Sequence, residues 1–216
     1  MKIVSTNKAT PVSLPWKGGE HTTGIFKRPR AEGIFLGPDG VQGDTVGNPD
    51  VHGGRYKACY LFPADTYAYW QGRYPGLDWE YGMFGENLSV EGLDETRLIV
   101  GAEFRIGEAR IRITTPREPC FKLGIRFGDQ GIIEQFVAYG RPGAYAEVVQ
   151  AGWVRPGDAV EPVGPGTEAM SIATYFRLLY ADSKDAALLD EALRWPFHSE
   201  KTRAMLSRWL RSVNPT

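Results

Sequence analysis

The sequence has little of what builds metal clusters or disulfide frameworks: 216 residues hold two cysteines and three histidines. A structural zinc site draws on four Cys or His ligands at paired spacings, and Cys59, Cys120, His21, His52 and His198 do not supply them. In a reducing compartment the two cysteines read as free thiols rather than a bridge. Long apolar runs are missing too. Met1 to Lys8 lacks the apolar core of a signal peptide, and no stretch approaches the roughly 18 uninterrupted apolar residues of a membrane span. The expectation is a cytoplasmic protein with no membrane partner. An excess of one charge is also absent, with 25 Lys+Arg against 26 Asp+Glu. No overall field draws the chain to a nucleic-acid polymer, so any bound anion must be held by local cations. Three catalytic signatures are absent in form. The Gly-rich loops lie between strand segments rather than opening helices, which excludes the phosphate loop and the dinucleotide fingerprint. No G-x-S-x-G elbow offers a serine nucleophile.

What is present is frequent Gly and Pro from residue 1 to about 166, with short alternating segments between turns, the pattern of a many-stranded barrel or sandwich with few helices. The clearest strand pair is Glu103 to Ile106 and Ala109 to Thr115 around Gly107-Glu108, where Ile111 and Ile113 alternate with Arg110 and Arg112. Lys57 to Leu61, Leu88 to Val90 and Ala146 to Val149 are further strand candidates, and Arg155-Pro156-Gly157-Asp158 is a turn leading into Ala159 to Val163. Val163-Gly164-Pro165-Gly166 reads as a linker, beyond which the apolar period changes from two to about 3.6. The chain is therefore divided into a β domain, 1–166, and a small three-helix unit, 167–216. Ser171 caps the first helix, the second follows Ser183, and the third starts near Ser199 with Met205, Leu206, Trp209, Leu210 and Val213 at helical spacing.

Cys120 stands in Thr115-Pro116-Arg117-Glu118-Pro119-Cys120-Phe121-Lys122, where two prolines end the strand and force a loop. Arg117 and Lys122 flank it, and cationic neighbours favour the reactive or metal-binding thiolate. The alternative is a buried, inert thiol, and Cys59, inside Ala58-Cys59-Tyr60-Leu61-Phe62, fits that alternative better. His52 lies in the turn-rich run Gly43 to Gly54, either as an accessible ligand or proton shuttle or as a surface histidine. Lys17, beside Gly18-Gly19, and the cluster Lys27, Arg28 and Arg30 offer phosphate-binding cations or a solvated loop. In Gly82-Met83-Phe84-Gly85-Glu86-Asn87-Leu88, Asn87 can hydrogen-bond a heterocycle and Glu86 can move a proton, or both serve the turn. A Cys120/His52 thiol hydrolase also remains open.

Taken together, Gly43-Asp44, His52-Gly53-Gly54, Gly82 to Leu88 and Pro116-Arg117-Glu118-Pro119-Cys120 resemble the MOSC family, named for the C-terminal domain of molybdenum-cofactor sulfurases. Trp16-Lys17-Gly18, Thr22 to Lys27 and the helical tail resemble its bacterial YiiM-like branch, over almost the whole chain. Ala102 departs from the pattern, where Asp is expected after Gly101. The resemblance implies a mainly β fold, a MOSC-type β-barrel with a small C-terminal three-helix subdomain. It implies a molybdenum cofactor (molybdopterin) with Cys120 as metal ligand, and Lys17, Arg28, Asn87 and Arg117 as cofactor-binding residues. A family-level association with pyridoxal phosphate also comes with it. The implied activity is reduction of N-hydroxylated bases of the hydroxylaminopurine type, with Cys120, His52 and Lys17 catalytic. One soft thiolate suffices because the pterin brings its own sulfurs. Two electrons and two protons are consumed per N–OH reduced, so an electron-donor reductase is an implied partner. The rival reading is a non-enzymatic module that binds the cofactor or carries sulfur on Cys120.

Overall fold

A computed structural model describes residues 1–16, 18–45, 54–165 and 168–214. Thirteen strands and six α-helices are assigned among them. Eight strands form one sheet, in the order Val160–Val163 (β13), Glu103–Ile106 (β9), Ala109–Pro116 (β10), Ala144–Gln150 (β11), Cys59–Pro63 (β7), Leu88–Glu91 (β8), Lys2–Lys8 (β1) and Arg28–Pro29 (β4). Neighbours are antiparallel except β7 and β8, which run parallel. Gly152–Val154 (β12), Ile34–Gly37 (β5) and Gly40–Val41 (β6) form a second sheet, and Val12–Trp16 (β2) pairs with Gly19–Thr23 (β3).

The β9–β10 pair follows the alternation in its sequence. Gly107 takes a positive φ of 55° at the turn, Ala109 pairs with Ile106, and Ile111 and Ile113 are fully buried. On the other face Arg112 bridges Glu103 of β9 and Glu147 of β11, tying three strands together.

The barrel expected from the sequence is corrected: the large sheet does not close. Its two terminal strands, β13 and β4, carry Pro162 and Pro29, which lack the N–H that a central strand must donate. Strand β1 divides its free edge. Asn7 and Lys8 pair with β4, while Lys2 meets Ala159 in a single bridge supported by Ile3 N–H donating to Asp158 O at 2.9 Å.

The scarcity of helices expected before residue 166 is also corrected. Tyr67–Arg73 (α1), Phe121–Phe127 (α2) and Ile132–Tyr139 (α3) bury Tyr67, Trp70, Leu123, Phe127 and Phe136 against Phe62 and Phe84 in an aromatic core. Phe62 and Phe84 stack at 4.1 Å between centroids.

The three tail helices are Ile172–Tyr180 (α4), Ala186–Arg194 (α5) and Glu200–Val213 (α6). Ser171 and Ser199 cap α4 and α6 through the N–H groups of Thr174 and Thr202, each at 3.2 Å. Helix α5 starts later than Ser183 suggested, because the Asp185 carboxylate accepts from Ala187 and Leu188 N–H. Tyr175, Leu178, Leu189, Ala192 and Leu206 join one apolar cluster with Ile111 and Ile113 of the sheet. No helix among the described residues is long and apolar enough to cross a membrane.

Candidate functional site

Strand β10 ends at Pro116, and Arg117 to Pro119 carry the chain out of the ladder to Cys120, which precedes the first turn of α2. Cys120 keeps an extended backbone, φ −138°, and its carbonyl accepts from Leu123 N–H at 2.9 Å. Its thiol is half-buried, in contrast to Cys59, which is sealed in the core, where burial pushes the thiol pKa far up. Cys120 lines a cavity of about 330 Å³ whose walls include Lys27, Lys57, Arg117, Lys122, Asp39, Asp44, Tyr60, Asn87 and Tyr145. Four cations thus face two carboxylates.

Those cations are held in different ways. Lys27 is buried and ion-paired with Asp44, which also accepts from Ala9 N–H and the Asn87 amide. Lys122, also buried, donates to Thr22 O of the β2–β3 hairpin at 3.1 Å. That hairpin stacks Trp16 on Phe121, the residue after Cys120, at 5.2 Å.

Arg117 is 4% exposed, donates to Glu118 O at 3.0 Å and lies over the rings of Tyr60 and Phe136. It has no carboxylate partner among the described residues. Burial opposes its charge, Tyr60, Tyr145 and Cys120 favour it, and the balance holds the guanidinium pKa above its ordinary range. Lys57 sits over the Tyr145 ring at 5.4 Å, and burial lowers its pKa, with Arg117 adding to the effect and Glu118 opposing it.

Of the residues singled out in the sequence, the structure brings Cys120, Arg117, Lys122, Lys27, Asp44 and Asn87 to this cavity. The Asn87 side chain is engaged by the protein itself: it accepts from Tyr60 N–H and donates to Asn7 O and Asp44. Glu86 is fully buried beneath the loop. Its carboxylate gathers Tyr67 O–H, Ser89 O–H, Gly82 N–H and Phe84 N–H, and burial raises its pKa. Arg28 is exposed, pairs with Glu80 and does not line the cavity. Lys17 and His52 lie outside the described residues. Lys57, Tyr60 and Tyr145 form wall that sequence reading did not assign to a site.

A second cavity, of about 830 Å³, meets the first along Lys57, Cys120 and Tyr145, and extends to α6. Cys120, Lys57 and Tyr145 are therefore wall common to two adjoining cavities.

The MOSC domain profile matches residues 48–161, the segment that supplies Lys57, Asn87, Arg117 and Cys120. The chain belongs to the MOSC family. A Bacillus subtilis relative described as the uncharacterized protein YflK is 32% identical over 202 residues, covering 94% of this MOSC chain and 91% of that protein. A Gibberella moniliformis protein described as a reductase is 27% identical, covering 83% of this chain and 32% of that one. The crystal structure of YiiM from Geobacillus stearothermophilus superposes with a TM-score of 0.79 at 28% identity, covering 97% of this chain and 98% of that one.

Proposed function

We propose that this MOSC protein is a molybdenum-cofactor-dependent reductase of N-hydroxylated bases, with Cys120 as the protein's ligand to the metal. The observation that carries the reading is the half-buried Cys120 thiol on a cavity wall beside a buried arginine that lacks a carboxylate partner among the described residues. A buried guanidinium kept charged and free of any carboxylate among the described residues is a ready partner for an anion, and a phosphorylated, oxo-bearing cofactor is such an anion. The residues fit the group: one soft sulfur donor for the metal, with Arg117, Lys27 and Lys122 lining the space around it. When bound, the cofactor would supply the two-electron chemistry, which asks of the protein only binding, orientation and protons.

Converting R–NHOH to R–NH2 and water takes two electrons and two protons. An electron-donor reductase would provide the former. For the protons, Lys57 faces the same cavity with a pKa lowered by burial, which eases loss of its proton. His52 is assigned a parallel role in proton delivery and Lys17 in anchoring cofactor or substrate. Family membership and the reductase description of one relative support the reading. The test is reduction of hydroxylaminopurine by anaerobically purified protein with a reduced viologen dye as electron source. Turnover by the wild type and none by Cys120→Ala is expected. Cyanide-labile sulfur on Cys120 without turnover would instead favour the sulfur-carrier reading.

A further inference from the structure

The second cavity has a lining unlike the first. Five cations face it, Arg55, Lys57, Lys201, Arg208 and Arg211, against one carboxylate, Glu118. Arg55 is neutralised by Glu147. Lys201, Arg208 and Arg211 have no ion-pair partner among the described residues. On α6, Lys201, Met205, Arg208 and Arg211 are spaced four, three and three apart, which places them on one stripe of the helix. Arg208 and Arg211 are neighbours on that stripe and repel each other, a cost that an anion between them would remove. The same cavity has an apolar wall, in which Tyr56 and Phe197 meet edge to face at 5.8 Å beside Met205. An aromatic wall next to a basic stripe suits a planar heterocycle carrying a phosphate.

We propose that the second cavity binds the phosphate-bearing end of the substrate, so that the preferred substrate is a nucleoside phosphate of the N-hydroxylated base and not the free base. The inference rests on the reductase reading above for the reacting group, and on the cavity alone for the phosphate. The cofactor's own phosphate has the same chemistry, but the first cavity already carries Lys27, Arg117 and Lys122 for it, and the aromatic wall belongs to the second.

The experiment is calorimetric titration of the full-length protein with adenosine monophosphate, adenosine and inorganic phosphate, none of which can be reduced. The expected result is binding of the monophosphate at least about tenfold tighter than of adenosine, as one charge-assisted contact would give. Arg208→Ala/Arg211→Ala should abolish that advantage and leave both melting temperature and molybdenum content unchanged, since both side chains are exposed. Equal affinity for adenosine and its monophosphate would overturn the inference. So would a double variant that loses molybdenum and pterin while binding the monophosphate normally, because the stripe would then hold the cofactor's phosphate. Reduction of hydroxylaminopurine without any preference for its nucleotide sinks this inference and spares the reductase reading. A nucleotide preference in a protein that reduces nothing spares the phosphate site and sinks the reductase reading.

Discussion

Glu86 shows how a single buried charge shapes the loop that floors the site. Its carboxylate replaces water with two hydroxyl and two backbone N–H donors, which holds Gly82 to Asn87 in one conformation and aims Asn87 at Asp44. Truncation to Glu86→Ala would leave the Tyr67 and Ser89 hydroxyls and Phe84 N–H without their acceptor in the core, Gly82 N–H keeping the Tyr67 oxygen, and unpaired buried groups cost about 1–3 kcal/mol each. The variant is expected to lose at least about 3 kcal/mol in urea unfolding; a loss within 0.5 kcal/mol of wild type, about what an ordinary surface change costs, would contradict this role. Gly143 is constrained by space as well as conformation. It has φ 66°, and a Cβ there would lie 2.2 Å from the Leu61 carbonyl oxygen across the β7–β11 pairing. Gly143→Ala must push the two strands apart beside Tyr60 and Tyr145, so a loss of about 2 kcal/mol or more is expected in the same assay.

At the scale of elements, the tail is fastened by His198 between α5 and α6. Its ring contacts Ala192 O at 2.9 Å and Tyr175 O–H at 3.4 Å, and burial lowers its pKa from 6.5 to about 4, with Arg203 and Lys57 adding to the effect. Between these values the unfolded chain binds a proton that the folded chain does not, so this histidine's contribution is whole above about pH 6.5 and is lost as pH falls toward 4. Its size is on the order of 3 kcal/mol. The buried Glu86 and Glu95, whose pKa values burial raises, change stability in the opposite sense with acid. The clean comparison is therefore wild type against His198→Gln. The melting temperature of the variant should fall less steeply between pH 6.5 and 4, and parallel curves would contradict the assignment.

Elements also explain what could be read in advance. The β9–β10 pair was legible because four residues alternate around an unambiguous glycine turn, and the tail because its stripes run for two turns or more. Helices α1 to α3 were not. Tyr67–Arg73 is rich in aromatics that also suit strands, and Phe121–Phe127 is one interrupted repeat with Gly124 inside it. The candidate cysteine was legible from local chemistry, because Cys120 follows two prolines that end its strand and lines the cavity. Lys57, Tyr60 and Tyr145 come together only through the pairing of β7 with β11, which no local pattern reveals. Arg28 was chosen where Lys27 faces the cavity, since adjacent residues of an extended chain point to opposite sides.

Over the whole molecule, the open sheet, the aromatic core under α1 to α3 and the tail meet around two adjoining cavities, with Cys120 on the wall they share. The β core supplies buried cations, and the tail closes the far side with an exposed basic stripe. Under the proposed function the cysteine has its role in chemistry and none in folding, because its half-buried side chain belongs to neither apolar core. The most direct test is the molybdenum and pterin content of full-length protein purified anaerobically from a cofactor-producing host, wild type beside Cys120→Ala. Near-stoichiometric metal in the wild type, lost in the variant with an unchanged melting temperature, is the predicted result. No metal in either protein, or equal metal in both, would contradict the assignment of Cys120 as the ligand.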